Sequence, residues 1–253
     1  VLADGVWASR NAGDFYMAKR NLSDTLAAPV LRYLAQHGAK YRPNCRIAQV
    51  QAASGKVQAD GQTFDAAVFA VAPYHLAPLL PEHLGDAVRQ AVQQLSYHAI
   101  TTVYLRYPQP LHLPAALTGF AHRPTQWLLD RGRLQHPNEA AAIISTSDLV
   151  AESSLHTDGK PDWAATAHQD LLQLNPHLPP PEAQQTITEK RATVASTVNR
   201  RLPDMADLNA ARIWLAGDWL HDRYPATLEA AVQTGERAAQ QCLAALTRTS
   251  GTR

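Results

Sequence analysis

Two short stretches constrain this chain more than any others. Residues 66–72 (Ala-Ala-Val-Phe-Ala-Val-Ala) form its longest apolar run, and they do not alternate with polar residues. A strand without a polar face is covered on both sides, and such strands belong to parallel sheets flanked by helices. Residues 211–216 (Ala-Arg-Ile-Trp-Leu-Ala) return to that character near the other end of the chain. Pro73 stops the first run and Gly217-Asp218 stops the second. The fold class expected is α/β, passing into α+β where the intervening sequence changes character.

Helical spacing first shows at residues 22–37, where Leu26, Val30, Leu31 and Leu34 share a face. Asn21 or Ser23 caps the start, Pro29 marks a first turn, and Gly38 reads as the stop. Residues 46–52 alternate, and Asp60-Gly61 between residues 56–59 and 62–64 is a hairpin signal. From residue 76 to about 200, prolines break the chain. Strand-like runs stand at 100–107, 126–129 and 141–146, and helices are expected at 86–94 and 163–174, followed by a proline-rich loop at 173–181. The expected division is 1–75 and 201–253 as two parts of one domain, with 76–200 inserted as a second, mixed sheet-plus-helix domain. There are no repeats.

Composition excludes several classes. The 253 residues can bury a sizeable core without a metal or a disulfide. Lys+Arg is 23 against Asp+Glu 22, which leaves no electrostatic footprint for nucleic acid. Cys45 and Cys242 stand far apart, and the histidines show no paired metal spacing, so no metal site is expected. No apolar run approaches the roughly 18 residues of a membrane helix. The serines lack a GxSxG setting, so a hydrolase triad has no support. Among the 12 glycines no two form a G-x-G pair, so the chain has no dinucleotide fingerprint and no P-loop.

Chemistry concentrates after the second apolar run. Gly217 permits close backbone approach. Asp218 offers two acceptor oxygens at a strand C-terminus, where open α/β sheets bind ligands. Pro225 then opens a helix expected from about 226 to 246, whose free N–H groups and positive dipole end suit an anion, or a group that becomes one. Ala231, Gly235 and Ala239 form a small-residue stripe that would let the helix lie close to a neighbour.

The block Ala216-Gly217-Asp218-Trp219, then Tyr224-Pro225-Ala226-Thr227-Leu228-Glu229-Ala230-Ala231-Val232-Gln233-Thr234-Gly235, resembles the C-terminal FAD motif of the flavin amine oxidase and phytoene desaturase superfamily. Within it the chain is most similar to the squalene-associated desaturases known as hydroxysqualene dehydroxylases. Residues 22–39, the strand 64–73, and the segments 100–107 and 126–132 resemble other motifs of that family in the same order. The resemblance covers about residues 22–246. Members begin with a GxGxxG βαβ unit, which this chain lacks, and its first residue is Val1. The expectation is a partial FAD-binding domain, the C-terminal part of a longer enzyme, inactive alone, with retention of flavin by the part itself left open.

That resemblance implies roles. Asp218, beside Gly217, contacts the ribityl chain. Amides around Pro225, Ala226, Thr227 and Leu228 face the flavin C2 carbonyl, and Trp219 flanks the ring. The Ile47 backbone meets the adenine, and Ala72 and Pro73 line the same site. Tyr104, Arg106, Trp127 and Arg131 are candidates for the substrate cavity, with structural packing as the alternative. His221-Asp222 reads as a solvated loop pair, with an acid/base role beside the motif loop as the alternative, and Arg200-Arg201 as a solvated face. The implied cofactor is FAD. The implied substrate is a long isoprenoid lipid, with hydroxysqualene reduced to squalene on the route to hopanoids. Peripheral contact with the inner face of the membrane follows for an otherwise cytoplasmic protein. The alternatives are a carotenoid desaturase, a flavin amine oxidase, or a non-catalytic lipid-binding or interaction module.

Overall fold

A computed structural model describes residues 3–153 and 161–250. The chain divides into two compact units, one made of Val1–Arg42 and Tyr97–Thr193, the other of Pro43–Ser96 and Val194–Arg253.

In the first unit, wide helical turns over Ser23–Ala27 run into α1 (Ala28–Gln36). Asn21 Oδ1 caps the start by accepting from Asp24 N–H at 2.8 Å, and Pro29 falls in the first turn of α1. The amphipathic pattern of this helix predicts a buried face, but none of its residues is buried. Leu26, Val30, Tyr33 and Leu34 are between 41% and 60% exposed, so the apolar stripe is not packed into a core among the described residues.

The rest of that unit is a five-stranded sheet whose ten-residue strand sits next to one edge. Its order is β6 (Leu117–Gly119), β7 (Trp127–Asp130), β8 (Glu139–Ile144), β5 (Tyr97–Arg106) and β9 (Ala183–Val194). Residues Ala99, Thr101, Val103 and Leu105 of β5 alternate into the core. There they join Leu128, Ala140, Ala142 and Ile144, covered by Ala164, Ala167 and Leu171 of α5 (Trp163–Leu172). Asp162 caps α5 by accepting from Ala165 N–H. The short α4 (Ser147–Ser153) is tied to β5 through Asp148, which accepts from Ala99 N–H at 3.0 Å and from the His98 ring at 3.1 Å. The twelve residues of β9 lie almost wholly exposed, and their polar, charged run carries no apolar pattern from which a strand could be read.

The second unit holds a meander and a parallel pair. Strands β1 (Val50–Ala53), β2 (Lys56–Ala59) and β3 (Gln62–Phe64) run antiparallel. Asp60 and Gly61 form the expected turn, both at positive φ (44° and 78°). The Asp60 carboxylate accepts from Ala48 and Gln49 N–H, which occupies those donors ahead of β1. Strand β4 (Ala67–Phe69) pairs in parallel with β10 (Ile213–Leu215). The parallel pairing agrees with the apolar runs. Burial on both faces holds for β10 but not for β4, where Val68 is 42% exposed, because the pair stands as a two-stranded sheet. Pro73 opens α2 (Pro73–Leu76) rather than merely ending the strand.

Three further helices complete this unit: α3 (Asp86–Gln93), α6 (Ala206–Ala210) and α7 (Leu228–Ser250). Arg89 of α3 donates to the carbonyls of Leu80, Pro81 and Leu84 and so fixes the loop before it. Helix α7 packs through Ala230, Thr234 and Ala238, spaced by four, near Trp214 and Ala216. The stripe that approaches its neighbour is therefore one residue earlier than Ala231-Gly235-Ala239. An added Cβ at Gly235 would meet nothing within 4 Å.

Candidate functional site

Strand β10 delivers the chain to Gly217, whose φ and ψ are both 154°, a backbone that L side chains rarely adopt. Thr234 of α7, itself 4% exposed, grips this residue at both ends. Its hydroxyl accepts from Gly217 N–H and lies 3.0 Å from the Gly217 carbonyl, with the Ala231 carbonyl a further 3.0 Å acceptor. A Cβ on Gly217 would stand 2.8 Å from Trp219 Cδ1 and 2.9 Å from its Nε1. The indole of Trp219 is 3% exposed, and its buried Nε1 has no hydrogen-bond partner among the described residues. Asp218 is half-buried, and no described residue bonds its carboxylate.

The mouth of α7 is open. The helix begins at Leu228, with Thr227 as its cap, since Thr227 Oγ1 accepts from Ala230 N–H at 3.2 Å. Pro225 therefore stands two residues before the cap instead of at the first helical position. The N–H groups of Ala226, Thr227 and Leu228 have no partner among the described residues. Pro225, Thr227 and Leu228 are exposed and Ala226 half-buried.

Two cavities flank the segment 196–202. One, of about 520 Å³, is bounded by the turn from His221 to Ala226, with Ser196, Thr197, Arg200 and Leu202 opposite. The other, of about 340 Å³, has Trp219 in its wall together with Ser96, Arg200 and Arg201. The structure thus separates residues that the sequence places together. Pro225 and Ala226 belong to the first cavity, Trp219 to the second, and Gly217 and Asp218 to neither lining.

Arg200 lines both cavities and donates to the His221 carbonyl at 3.3 Å, so a purely solvated face is not its role. His221 is not a solvated residue either. It is 3% exposed and hydrogen-bonded at both ring nitrogens, and only Asp222 of that pair is exposed. Thr234, Arg200 and His221 are the site residues that sequence reasoning missed. Two signals pointed to Thr234: its place inside the motif block 224–235 and its four-residue spacing from Ala230 and Ala238. Of the remaining candidates, Ile47 is half-buried just ahead of β1, Ala72 is half-buried, and Pro73 is buried at the start of α2.

In the other unit, the four substrate candidates lie on or beside one sheet face. Pairing aligns Tyr104 with Ala141 and Leu129, and Thr102 with Ile143 and Trp127, on the side opposite Val103 and Leu105. The Arg131 guanidinium lies 5.0 Å from the centre of the Tyr104 ring and donates to Glu139 at 2.7 Å. Arg106 pairs with Glu182 at 2.9 Å. Trp127, 41% exposed, packs over Gly119. Tyr107 and His168, 2.9 Å apart, occupy the core side. Burial drives the Tyr107 hydroxyl far above its ordinary range and lowers the pKa of the His168 imidazole. Among the described residues no cluster of His, Cys, Asp or Glu could hold a metal ion.

A chain with this parallel pair, capped mouth and sheet falls in a known class of flavin proteins. Residues 5–243 match the family described as flavin containing amine oxidoreductase, and the chain belongs to that family. Among curated relatives it is 29% identical over 239 residues to the hydroxysqualene dehydroxylase of Rhodopseudomonas palustris, covering 90% of this chain and 53% of that protein. The hydroxysqualene dehydroxylase of Sinorhizobium fredii is 24% identical, covering 90% and 52%. The chain spans about half the length of these relatives. A solved structure of putrescine oxidase bound to putrescine shares the fold, with a TM-score of 0.62 at 18% identity, over 87% of this chain and 53% of that one.

The described residues fit one part of a flavin. The unpartnered amides at the mouth of α7 can donate to a ring carbonyl, and the unpartnered Asp218 carboxylate can accept from a sugar-alcohol hydroxyl, whereas the orphaned Trp219 Nε1–H is buried beside the other cavity and stands outside this fit. They offer no glycine-rich phosphate cradle.

Proposed function

We propose that this chain is part of an FAD-dependent oxidoreductase acting on a long isoprenoid lipid, with hydroxysqualene reduced to squalene. The observation that carries the reading is the open amide mouth of α7 together with the unpartnered Asp218 carboxylate, joined through Gly217 and its Thr234 clamp. The names of the two curated relatives support the substrate.

In this reading, the amides of Ala226, Thr227 and Leu228 hold the carbonyl end of the flavin ring, and the positive end of the helix favours negative charge there. Asp218 holds the ribityl chain, and Thr234 of α7 fixes the backbone at Gly217, the residue just before it. When bound, the reduced flavin supplies the hydride that replaces the departing hydroxyl group. The half-buried sheet face of Tyr104, Trp127, Leu129 and Ile143 provides an apolar wall for an isoprenoid chain, with Arg131 at its polar margin. Such a substrate is drawn from a bilayer surface, so the protein works in peripheral contact with a membrane. Among the described residues no helix is long and apolar enough to cross one.

The experiment joins this chain to the portion of the R. palustris enzyme that the match leaves uncovered, adds reduced FAD and hydroxysqualene, and analyses the extracted lipid. Squalene is the expected product. Turnover of phytoene or of an amine instead would assign a desaturase or an amine oxidase. A joined protein that binds the lipid but retains no flavin would leave only a lipid-binding role.

A further inference from the structure

His221 lies in the turn that leads into α7. Its Nδ1 accepts from Arg223 N–H at 3.0 Å and from Tyr224 N–H at 2.9 Å. A backbone amide can only donate, so Nδ1 carries no proton. The ring proton is therefore on Nε2, which donates to Gln233 Oε1 at 2.8 Å, inside the second turn of α7. Gln233 passes the restraint on by donating to Glu229 Oε1 at 2.5 Å. The Tyr224 ring stacks on the imidazole, 4.9 Å between centres. Asp222 Oδ1 comes within 3.8 Å of Nδ1, but an ion pair there would need a proton on the nitrogen that already accepts twice. The other charged neighbours are Arg200, which donates to the His221 carbonyl, and Arg223, on the same turn.

We propose that His221 is a positioning residue: a neutral imidazole, protonated at Nε2, that clamps the turn 221–226 to α7 and so sets the shape of the 520 Å³ cavity at the helix mouth. One end of the ring gathers two amides of the turn, the other fastens to the helix, and the carbonyl takes the Arg200 wall. The ring makes the first two contacts, and the main-chain carbonyl of the same residue makes the third. Its value for ligand binding rests on the reading of α7 given above, whereas the clamp can be tested without any ligand.

Two substitutions separate the ends of the ring. His221→Asn puts an amide oxygen near the place of Nδ1 and can still accept from the turn. His221→Gln reaches towards Gln233 but leaves both turn amides without an acceptor. In the intact chain, hydrogen exchange at Arg223 and Tyr224 is expected to be slow in the native protein and in His221→Asn, and about fivefold or more faster in His221→Gln. The ¹⁵N spectrum of histidine-labelled protein at neutral pH is expected to show Nδ1 bare and Nε2 protonated. A protonated Nδ1, or exchange in His221→Gln as slow as in the native chain, overturns the clamp. Added FAD, read by quenching of its fluorescence, is expected to bind the native chain and His221→Asn more tightly than His221→Gln. Equal FAD binding by all three overturns the positioning role. If the native chain binds no FAD, it is the ligand reading of α7 that fails, and the exchange and ¹⁵N results still decide the clamp.

Discussion

A methyl group added at Gly217 would stand 2.8 Å from Trp219 Cδ1, on a backbone with φ of 154°. Both the clash and the dihedral act in the same direction, so Gly217→Ala should destabilise the protein by about 1–3 kcal/mol, measured as a lowered urea midpoint at unchanged slope. Thr234→Val keeps the shape but removes the hydroxyl that serves Gly217 N–H, and should cost about 1–2 kcal/mol in the same assay. Asp218 behaves differently. Its carboxylate has no partner among the described residues to lose, so Asp218→Asn should leave stability within about 0.5 kcal/mol of native. The same substitution should weaken flavin binding when this chain is joined to the portion of its relative that the match leaves uncovered, and unchanged flavin content would remove Asp218 from the site. Gly217 and Asp218 could be picked out from the sequence because a glycine-acid pair ending an apolar run is a local signal. Thr234 reaches Gly217 across 17 positions, the Arg200–His221 contact spans 21 and the His221–Gln233 bond 12, and hydropathy spacing announces none of these contacts.

Among the elements, those with a strict period were legible and those without one were not. The hairpin at Asp60-Gly61, strand β5 and helices α3 and α5 stand within a few residues of where spacing puts them. Strand β9 has no alternation to read, since nearly all of it faces solvent. Helix α1 shows the converse: it has the spacing of a buried helix and an exposed stripe. Replacing Leu26 or Val30 by Ser should therefore change the stability of this chain by no more than about 0.5 kcal/mol each, where burial would make the loss several times larger. A large drop in melting temperature would show the stripe to be covered. The pairing of β5 with α5 also makes an acid prediction. Burial holds His168 below its ordinary imidazole value, so the folded unit favours the neutral ring. The stability this contributes is complete above the unfolded value, near pH 6.5, and is lost as pH falls through the lower folded value. The urea midpoint should fall on acidification below that point, and should fall less in His168→Gln, which has no imidazole to protonate.

At the scale of the whole molecule, two observations converge. The chain covers 53% of the first relative and has no G-x-G pair, while its unused donors sit at one helix mouth and one strand end. The parallel pair of β4 and β10 was readable because apolar runs without alternation mark it, yet its two-stranded width was not, since strand count depends on partners rather than on the runs themselves. A ligand held only by these donors is gripped at its ring and ribityl end. Its phosphate would meet solvent or weak contacts, because in this reading the open amides of the α7 mouth are taken by the ring carbonyl, and no G-x-G pair supplies a second cradle. Riboflavin and FMN should then bind this chain with affinities within about threefold of each other, a difference of about 0.6 kcal/mol, when titrated by fluorescence quenching at fixed ionic strength. FMN binding ten times tighter would place a phosphate site on this chain, most simply at Arg200, which lines both cavities beside residues 196–202, and Arg201, which lines the smaller one. That result would move the centre of the site from the mouth of α7 to the arginine wall facing it.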